Sequence, residues 1–293
     1  MKRWLIIVSG VAGGLLLFFG GSLLMVGLLL KDSDSISSGK AVGVVEVKGI
    51  ILDSGETIRQ LRECAKNDRV KAVVLRIDSP GGVVAPSQEI HEEVKRLAEK
   101  KSVVVSMGSV AASGGYYIAA PATIIYANPA TITGSIGVIM KLSNLQDLMN
   151  KVGVKPVTIK TGRFKDIGSP ARPMTVEDRA LLQGVIDSSF GQFIRAVAQG
   201  RKLPESQVRQ LADGRILTGE QALAVKLVDR LGNMQDALNE AARFGGIEGE
   251  PVQFKPKKDR KLLDLLAEGA SSQLGGLARW QGFSLNYELD VAQ

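Results

Sequence analysis

The stretch Gly108-Ser109-Val110-Ala111-Ala112-Ser113-Gly114-Gly115-Tyr116-Tyr117 decides how the chain is read. A β-branched run, Val103-Val104-Val105-Ser106-Met107, leads into it, and a short apolar segment, Tyr116 to Ala120, leaves it. The pattern is strand, sharp turn, helix. A serine at such a corner projects its hydroxyl away from the sheet, and its neighbours must be small because the backbone folds tightly there. Gly114 follows Ser113 and offers a backbone N–H with no side chain over it, which suits a developing oxyanion. The same serine also fits a plain N-cap for the next helix. The corner alone leaves both readings open.

Working outward, the segments before the corner alternate in type. Ala41 to Val47 reads as a strand, Thr57 to Lys66 as a short amphipathic helix and Val70 to Asp78 as a buried strand. A turn cluster follows, Asp78-Ser79-Pro80-Gly81-Gly82. Ile90, Val94 and Leu97 then repeat at helical spacing and mark a helix from about Pro86 to Lys100. Ser102 to Met107 is the strand that enters the corner. This order predicts an α/β fold with a largely parallel sheet. Beyond the corner, Thr123 to Tyr126 and Ser135 to Met140 read as strands, with Thr133-Gly134 as the turn between them. Leu145 to Lys151 reads as helix and Pro156 to Lys160 as strand. The polar loop Thr161 to Pro170 comes next. Thr175 with Asp178 forms a capping box that opens a long helix to about Gln199. Shorter helices are expected at Glu205 to Ala212, Gly219 to Lys226 and Gln235 to Phe244. A charged hinge, a helix from Lys261 to Glu268 and a strand within Phe283 to Val291 complete the tail. The reading is one catalytic domain, 41–245, with a C-terminal extension, 246–293.

The start of the chain is different. Trp4 through Leu30 carries no charge. At ~1.5 Å per residue such a helix extends roughly 40 Å, longer than the ~30 Å hydrocarbon core of a bilayer. Its glycines, at 10, 13, 14, 20, 21 and 27, suit a membrane span better than a soluble helix. The run ends in Leu28-Leu29-Leu30-Lys31-Asp32, a poor site for signal-peptide cleavage. We therefore expect residues 4–30 to be a retained transmembrane anchor. Lys2 and Arg3 precede it, so residues 1–3 belong in the cytoplasm and the catalytic domain outside. Residues 31–40 read as a linker.

Cys64 is the only cysteine, so no intrachain disulfide can form, and a half-buried structural thiol is expected. The net charge is +7, part of it from Lys255, Lys257, Lys258, Arg260 and Lys261. That basic run lacks interleaved aromatics and reads as a solvated linker face, not a nucleic-acid site.

A serine nucleophile needs a group that takes its proton. The only histidine, His91, sits off the apolar stripe of its helix and reads as a surface or edge residue. No second histidine exists to build a Ser-His-Asp triad or a multi-histidine metal site. No Walker or dinucleotide glycine loop is present. Lysine remains. A free lysine titrates near ~10.4, and burial can lower that by several units. Lys165 lies in a loop after a strand, beside Phe164 and ahead of Ile167, unlike the lysines of the charged helices. It is a candidate base, or else an ordinary loop lysine. Gly81-Gly82 after Pro80 can supply a second oxyanion donor beside Gly114, or simply form a tight turn.

In combination these residues resemble a family. Asp78-Ser79-Pro80-Gly81-Gly82, Gly108 through Tyr117, Thr133-Gly134-Ser135-Ile136-Gly137-Val138, Lys165-Asp166 and Asp213-Gly214-Arg215 occur in one order over residues 40–245. The set is similar to the S49 serine proteases of the signal peptide peptidase A type, in their short membrane-anchored form. The resemblance implies a Clp-protease/crotonase-like β-α superhelix preceded by one transmembrane helix. It implies Ser113 as nucleophile, Lys165 as general base from a neighbouring subunit, and Ser135 as the hydroxyl that orients the lysine. Gly82 and Gly114 would form the oxyanion hole. No cofactor or metal is implied. The expected partners are further copies of the chain in a dome-shaped ring, apolar remnant signal peptides, and the bilayer through residues 4–30, with no nucleic acid. The expected setting is the bacterial plasma membrane, with the catalytic domain extracytoplasmic. Three other readings stand beside it: a membrane-associated Ser-Lys protease with stomatin-type substrates, a crotonase-like acyl-CoA enzyme, and an inactive tethered scaffold.

Overall fold

Valine and isoleucine fill the runs that become the central strands, β1 (Ala41–Lys48), β2 (Val70–Ser79) and β4 (Ser102–Ala112). The structure, a computed structural model, describes residues 39–257 and the backbone of 286–288. Between these strands lie α1 (Gly55–Lys66), the short strand β3 (Gly81–Val83) and α2 (Val84–Ala98). After β4 come α3 (Gly114–Ala119), β5 (Ile124–Ala127), β6 (Ile132–Gly134), α4 (Gln146–Lys151) and α5 (Val176–Arg201). The domain continues through α6 (Glu205–Leu211), β7 (Ile216–Thr218), α7 (Gly219–Ala224), β8 (Arg230–Leu231), α8 (Met234–Phe244) and β9 (Val252–Phe254). A last strand, β10 (Asn286–Glu288), pairs elsewhere.

The main sheet runs β7-β6-β4-β2-β1-β9, with β5 also pairing β4 and β8 pairing β5. All its pairings are parallel except β6 with β7. A parallel sheet must be covered on both faces. Side chains alternate along each strand, so β2 serves two cores at once. Val73, Leu75 and Ile77 join one core with Leu61 of α1, Ile90 and Val94 of α2, and Phe193 of α5. Ala72 and Val74 join the other, under Leu238, Ala241 and Ala242 of α8. The parallel α/β expectation and its capping box are borne out. The Thr175 hydroxyl accepts from Asp178 N–H, and the Asp178 carboxylate accepts from Thr175 N–H, both at 3.1 Å.

Several expectations need correction. Gly81-Gly82 is not only a turn but part of β3, because Ile51 pairs with it. Ile51 N–H donates to Gly81 C=O and Val83 N–H to Ile51 C=O, each at 2.8 Å. Thr133-Gly134 lies inside β6, and the 135–140 run is not a strand. Ser135 has φ +50, which turns the chain out of the sheet. Residues 156–160 form no strand either. Val157 and Ile159 are 87% and 96% exposed, with no strand beside them among the described residues. His91 is buried, with Nδ1 2.9 Å from the Tyr117 carbonyl and its ring tilted on the Tyr117 ring. Cys64 is fully buried, not half-buried, and burial pushes its thiol up to about 12. The expected anchor at 4–30, residues 1–3, the linker up to 38 and the helix 261–268 lie outside the described residues. Among the described residues no helix is long and apolar enough to cross a membrane.

Leu75 is fully buried at the centre of the sheet, opposite Val45 and Val105. Leu75→Ala is expected to cost about 2–5 kcal/mol of stability, read from urea or guanidinium unfolding of the wild type and variant.

Candidate active site

Three strand ends converge where β4 leaves the sheet. β2 ends at Ser79, whose register partner is Ala111 of β4. β6 ends at Gly134, opposite Ala112. Ser113 is the next residue, and its N–H donates to Gly134 C=O at 2.8 Å. Ser113 is 1% exposed and takes φ +51, ψ −115, a conformation costly for a residue with a Cβ. Its side chain makes no capping hydrogen bond to α3, although it stands at the N-cap position. The plain N-cap reading of this serine therefore fails. The backbone turns sharply and the hydroxyl is not used to hold the helix.

Small residues make the corner possible. A Cβ at Gly115 would lie 2.7 Å from the Ser79 carbonyl oxygen. The first turn of α3 thus packs directly on the end of β2. Ser113 C=O accepts from Tyr117 N–H at 2.8 Å, so the helix starts immediately after the corner.

Ser135 occupies the matching position on the neighbouring strand. It follows Gly134 as Ser113 follows Ala112, and it is 7% exposed with φ +50. Its N–H donates to Arg215 C=O at 2.8 Å. The Asp213-Gly214-Arg215 motif shapes that support: the Asp213 carboxylate accepts from Arg215 N–H at 3.0 Å and Nε at 2.8 Å. Among the described non-glycine residues only four have positive φ. Two, Lys202 and Lys226, follow helix ends. The other two are Ser113 and Ser135.

Gly82 lies in β3, and a Cβ there would lie 2.1 Å from the Ile51 carbonyl oxygen. Only glycine permits this approach. Gly81 C=O and Val83 N–H both bond to Ile51, and strand groups alternate in direction. The Gly82 N–H and C=O therefore point to the other side of β3. On that side lies β10, antiparallel, with Tyr287 opposite Gly82, Asn286 opposite Val83 and Glu288 opposite Gly81. β10 also lies against α2 and α3. The importance of Ile51 escaped the sequence reading, because nothing in Gly49-Ile50-Ile51-Leu52 announces a backbone partner for a strand still to come.

Lys165 is placed differently. It is exposed, in a loop closed by Lys165 N–H to Gly162 C=O and Ile167 N–H to Phe164 C=O, each at 3.1 Å. No hydrogen bond or ion pair joins its amine to Ser113, Ser135 or any other described residue. The adjacent Asp166 carboxylate is engaged elsewhere, by Lys160 Nζ at 2.6 Å and by Arg172 Nε and an Arg172 terminal nitrogen at 2.9 and 3.0 Å. Those partners hold the Asp166 carboxyl well below the usual carboxylate range. A single chain thus brings together Ser113 and Ser135, with Gly114 and β3 beside them, but not Lys165. His91 is no substitute, since Nδ1 is taken by Tyr117 and burial favours its neutral form. No group of three or more metal-ligating side chains occurs among the described residues.

Comparison with known proteins gives two family matches. The model of peptidase family S49 matches residues 95–247, which include Ser113, Ser135 and Lys165. The model of Clp protease matches residues 51–133, which include Gly82, Ser113 and Gly114. A putative protease of Synechocystis is 44% identical over 83% of this chain and 88% of its own length. A putative protease of Methanocaldococcus jannaschii is 34% identical over 96% of this chain and 98% of its own. A putative signal peptide peptidase of Enterococcus faecium is 34% identical over 84% of this chain and 74% of its own.

The backbone at Ser113 suits glycine better than any residue with a Cβ. Ser113→Gly is expected to raise stability over Ser113→Ala by about 1 kcal/mol or more, read from denaturant midpoints of the two variants.

Proposed function

The chain belongs to peptidase family S49 and is a serine peptidase, and from that premise we propose that it is a membrane-anchored endopeptidase whose Ser113 and Lys165 meet across two copies of the chain. The observation that carries this reading is the corner itself. Ser113 is held in a strained backbone, its hydroxyl is not spent on capping, Gly114 follows it directly, and β3, which contains Gly82, packs on the helix that Gly114 opens. Such strain persists only where the surrounding structure over-determines it, and it collects at functional sites.

In the proposed reaction the neutral Lys165 amine accepts the Ser113 hydroxyl proton as Ser113 Oγ attacks a peptide carbonyl. The Gly82 and Gly114 N–H groups stabilise the oxyanion. The amine leaves with a proton from Lys165, and an acyl-enzyme remains. Water, deprotonated by Lys165, then releases it. Ser135 orients the amine.

Lys165 needs help from outside its own chain. Moving a lysine from ~10.4 to ~7.5 requires about 4 kcal/mol of differential stabilisation, and in the single chain Lys165 is exposed. Docking against a second copy would bury the amine. The segment ahead of Lys165 favours such docking, since Leu148, Val152, Val157 and Ile159 are all exposed. Several large apolar side chains exposed along one segment suit an interaction surface.

Substrates would bind by adding a strand to β3. The antiparallel pairing of β10 on that edge supports this mode. Ile50 and Leu52, which flank the Ile51 bridge, are exposed and suit apolar side chains. Remnant signal peptides fit the requirement, and the Enterococcus relative carries a name for that activity. The anchor at 4–30 would keep the protease beside them, with its catalytic domain on the extracytoplasmic side.

Ser113→Ala and Lys165→Ala are each expected to lower kcat/KM for an apolar peptide by at least ~10³-fold, in line with losses of nucleophile or base elsewhere. Wild-type turnover by both variants would defeat the reading. Mixing the two inactive variants, with subunit exchange verified, should restore part of the activity, whereas no recovery would place both groups in one chain. Removing residues 283–293 should raise kcat/KM by freeing the β3 edge; an unchanged value would mean that β10 does not compete with substrate.

A further inference from the structure

The immediate sequence neighbour of Lys165 is a carboxylate. An Asp166 side chain free to swing toward the amine would favour the ammonium and raise its pKa. That would oppose general-base chemistry. The geometry of the loop removes this hazard.

Arg172 clamps Asp166 through Nε at 2.9 Å and a terminal nitrogen at 3.0 Å, a two-pronged contact that a lysine cannot reproduce. Its other terminal nitrogen donates to Asp178 at 2.6 Å and to Pro173 C=O at 3.0 Å. Asp178 is itself fixed, because it is buried in the first turn of α5 and completes the Thr175 capping box. The long helix therefore holds Arg172, and Arg172 holds Asp166. Lys160 adds a second cation at 2.6 Å and also donates to Arg163 C=O at 2.9 Å. The remaining carboxylate of the cluster, Glu177, pairs with Arg163 at 3.1 Å, and Arg163 lies over the Phe164 ring. Asp166, Glu177 and Asp178 each have a cationic partner, and none pairs with Lys165.

We propose that Arg172 is a positioning residue for Lys165: by sequestering the Asp166 carboxylate against α5, it keeps that charge off the amine and lets Lys165 lose its proton. The inference rests on Lys165 being the general base. It adds a reason why a carboxylate can adjoin that base in sequence without silencing it.

The test is the pH dependence of kcat/KM for an apolar peptide, measured on the full chain in detergent micelles. Activity requires neutral Lys165, so it falls as pH drops through the lysine pKa, and that acid limb reports the amine. Arg172→Ala, which leaves Lys160 as the one remaining cation on Asp166, should loosen the carboxylate and move the acid limb upward by up to about one pH unit, a loss of up to roughly tenfold on its acid side. Arg172→Ala combined with Asp166→Asn should return the acid limb to its wild-type position. Arg172→Lys should lie between. In a Ser113→Ala background, labelling of Lys165 by an amine-reactive reagent, read by mass spectrometry against pH, should move in the same order without depending on turnover.

A purely structural Arg172 gives a different result: a loss equal at every pH, no rescue by Asp166→Asn and an unmoved labelling curve. That result would overturn the proposal. If Arg172→Ala fails to fold, Arg172→Lys and Arg172→Gln carry the same comparison, and an unmoved limb in both counts against it. Lys165→Ala separates the two levels of the argument. An inactive Lys165→Ala with an unmoved limb in the Arg172 variants overturns only the role of Arg172. An active Lys165→Ala removes the base assignment itself.

Discussion

The 2.8 Å hydrogen bond from Ser113 N–H to Gly134 C=O is the constraint on which the site depends. It closes the β4–β6 pairing at Ala112 and Gly134, just where both strands must leave the sheet. Each strand leaves through a serine with φ near +50. The parallel register places those serines side by side. The core holds them there: Ile77, Met107 and Tyr116 are fully buried around the β2–β4–α3 junction, and Gly115 sits directly on Ser79. A more relaxed corner would have to give up this packing. The strain is small beside what the two apolar faces of the sheet contribute.

A second constraint shapes the lysine. In water an ammonium is far more stable than an amine at neutral pH, so the proposed mechanism requires Lys165 to leave solvent. The single chain prepares only half of the solution. It pins Asp166 to Arg172 and Lys160, so the carboxylate next in sequence does not pair with Lys165. On the proposed mechanism, desolvation comes from a second copy of the chain. On the proposed mechanism, docking that covers the exposed apolar side chains at 148, 152, 157 and 159 would also bury Lys165, which follows them in sequence. The proposal thus makes base activation and assembly one event.

Legibility followed element size. The long, valine-rich strands and the amphipathic helices were visible because burial on two faces, or on one stripe, imposes a pattern over many residues. β1, β2, α1, α2, α5 and α8 lie within a few residues of their expected positions, while β4 starts where expected at Ser102 but runs on to Ala112, past the expected end at Met107. Of the short strands, β5 and β10 were visible and most others were not. β3, β7, β8 and β9 span two or three residues, and their existence depends on a partner distant in sequence. The 135–140 and 156–160 runs misled for the opposite reason. Their composition suits strands, but one begins at a residue that turns out of the sheet and the other has no strand beside it. His91 misled because its helix is covered by α3, which sequence spacing does not reveal.

The sequence by itself determined the α/β class, the corner at Ser113 and the residue types able to act there. It did so because strand and helix periodicity, glycine tolerance and the presence of a single histidine are local or compositional facts. Only the tertiary structure decided that Ser113 does not cap its helix, that Ser135 shares its strand-end geometry, and that Gly82 must be glycine to pass Ile51. Only the tertiary structure separated Lys165 from Ser113 within one chain and tied Asp166 to Arg172. These are relations between distant segments. They are set by parallel register, by backbone atoms meeting at close range and by which ion pair wins, and none of these leaves a pattern along the chain.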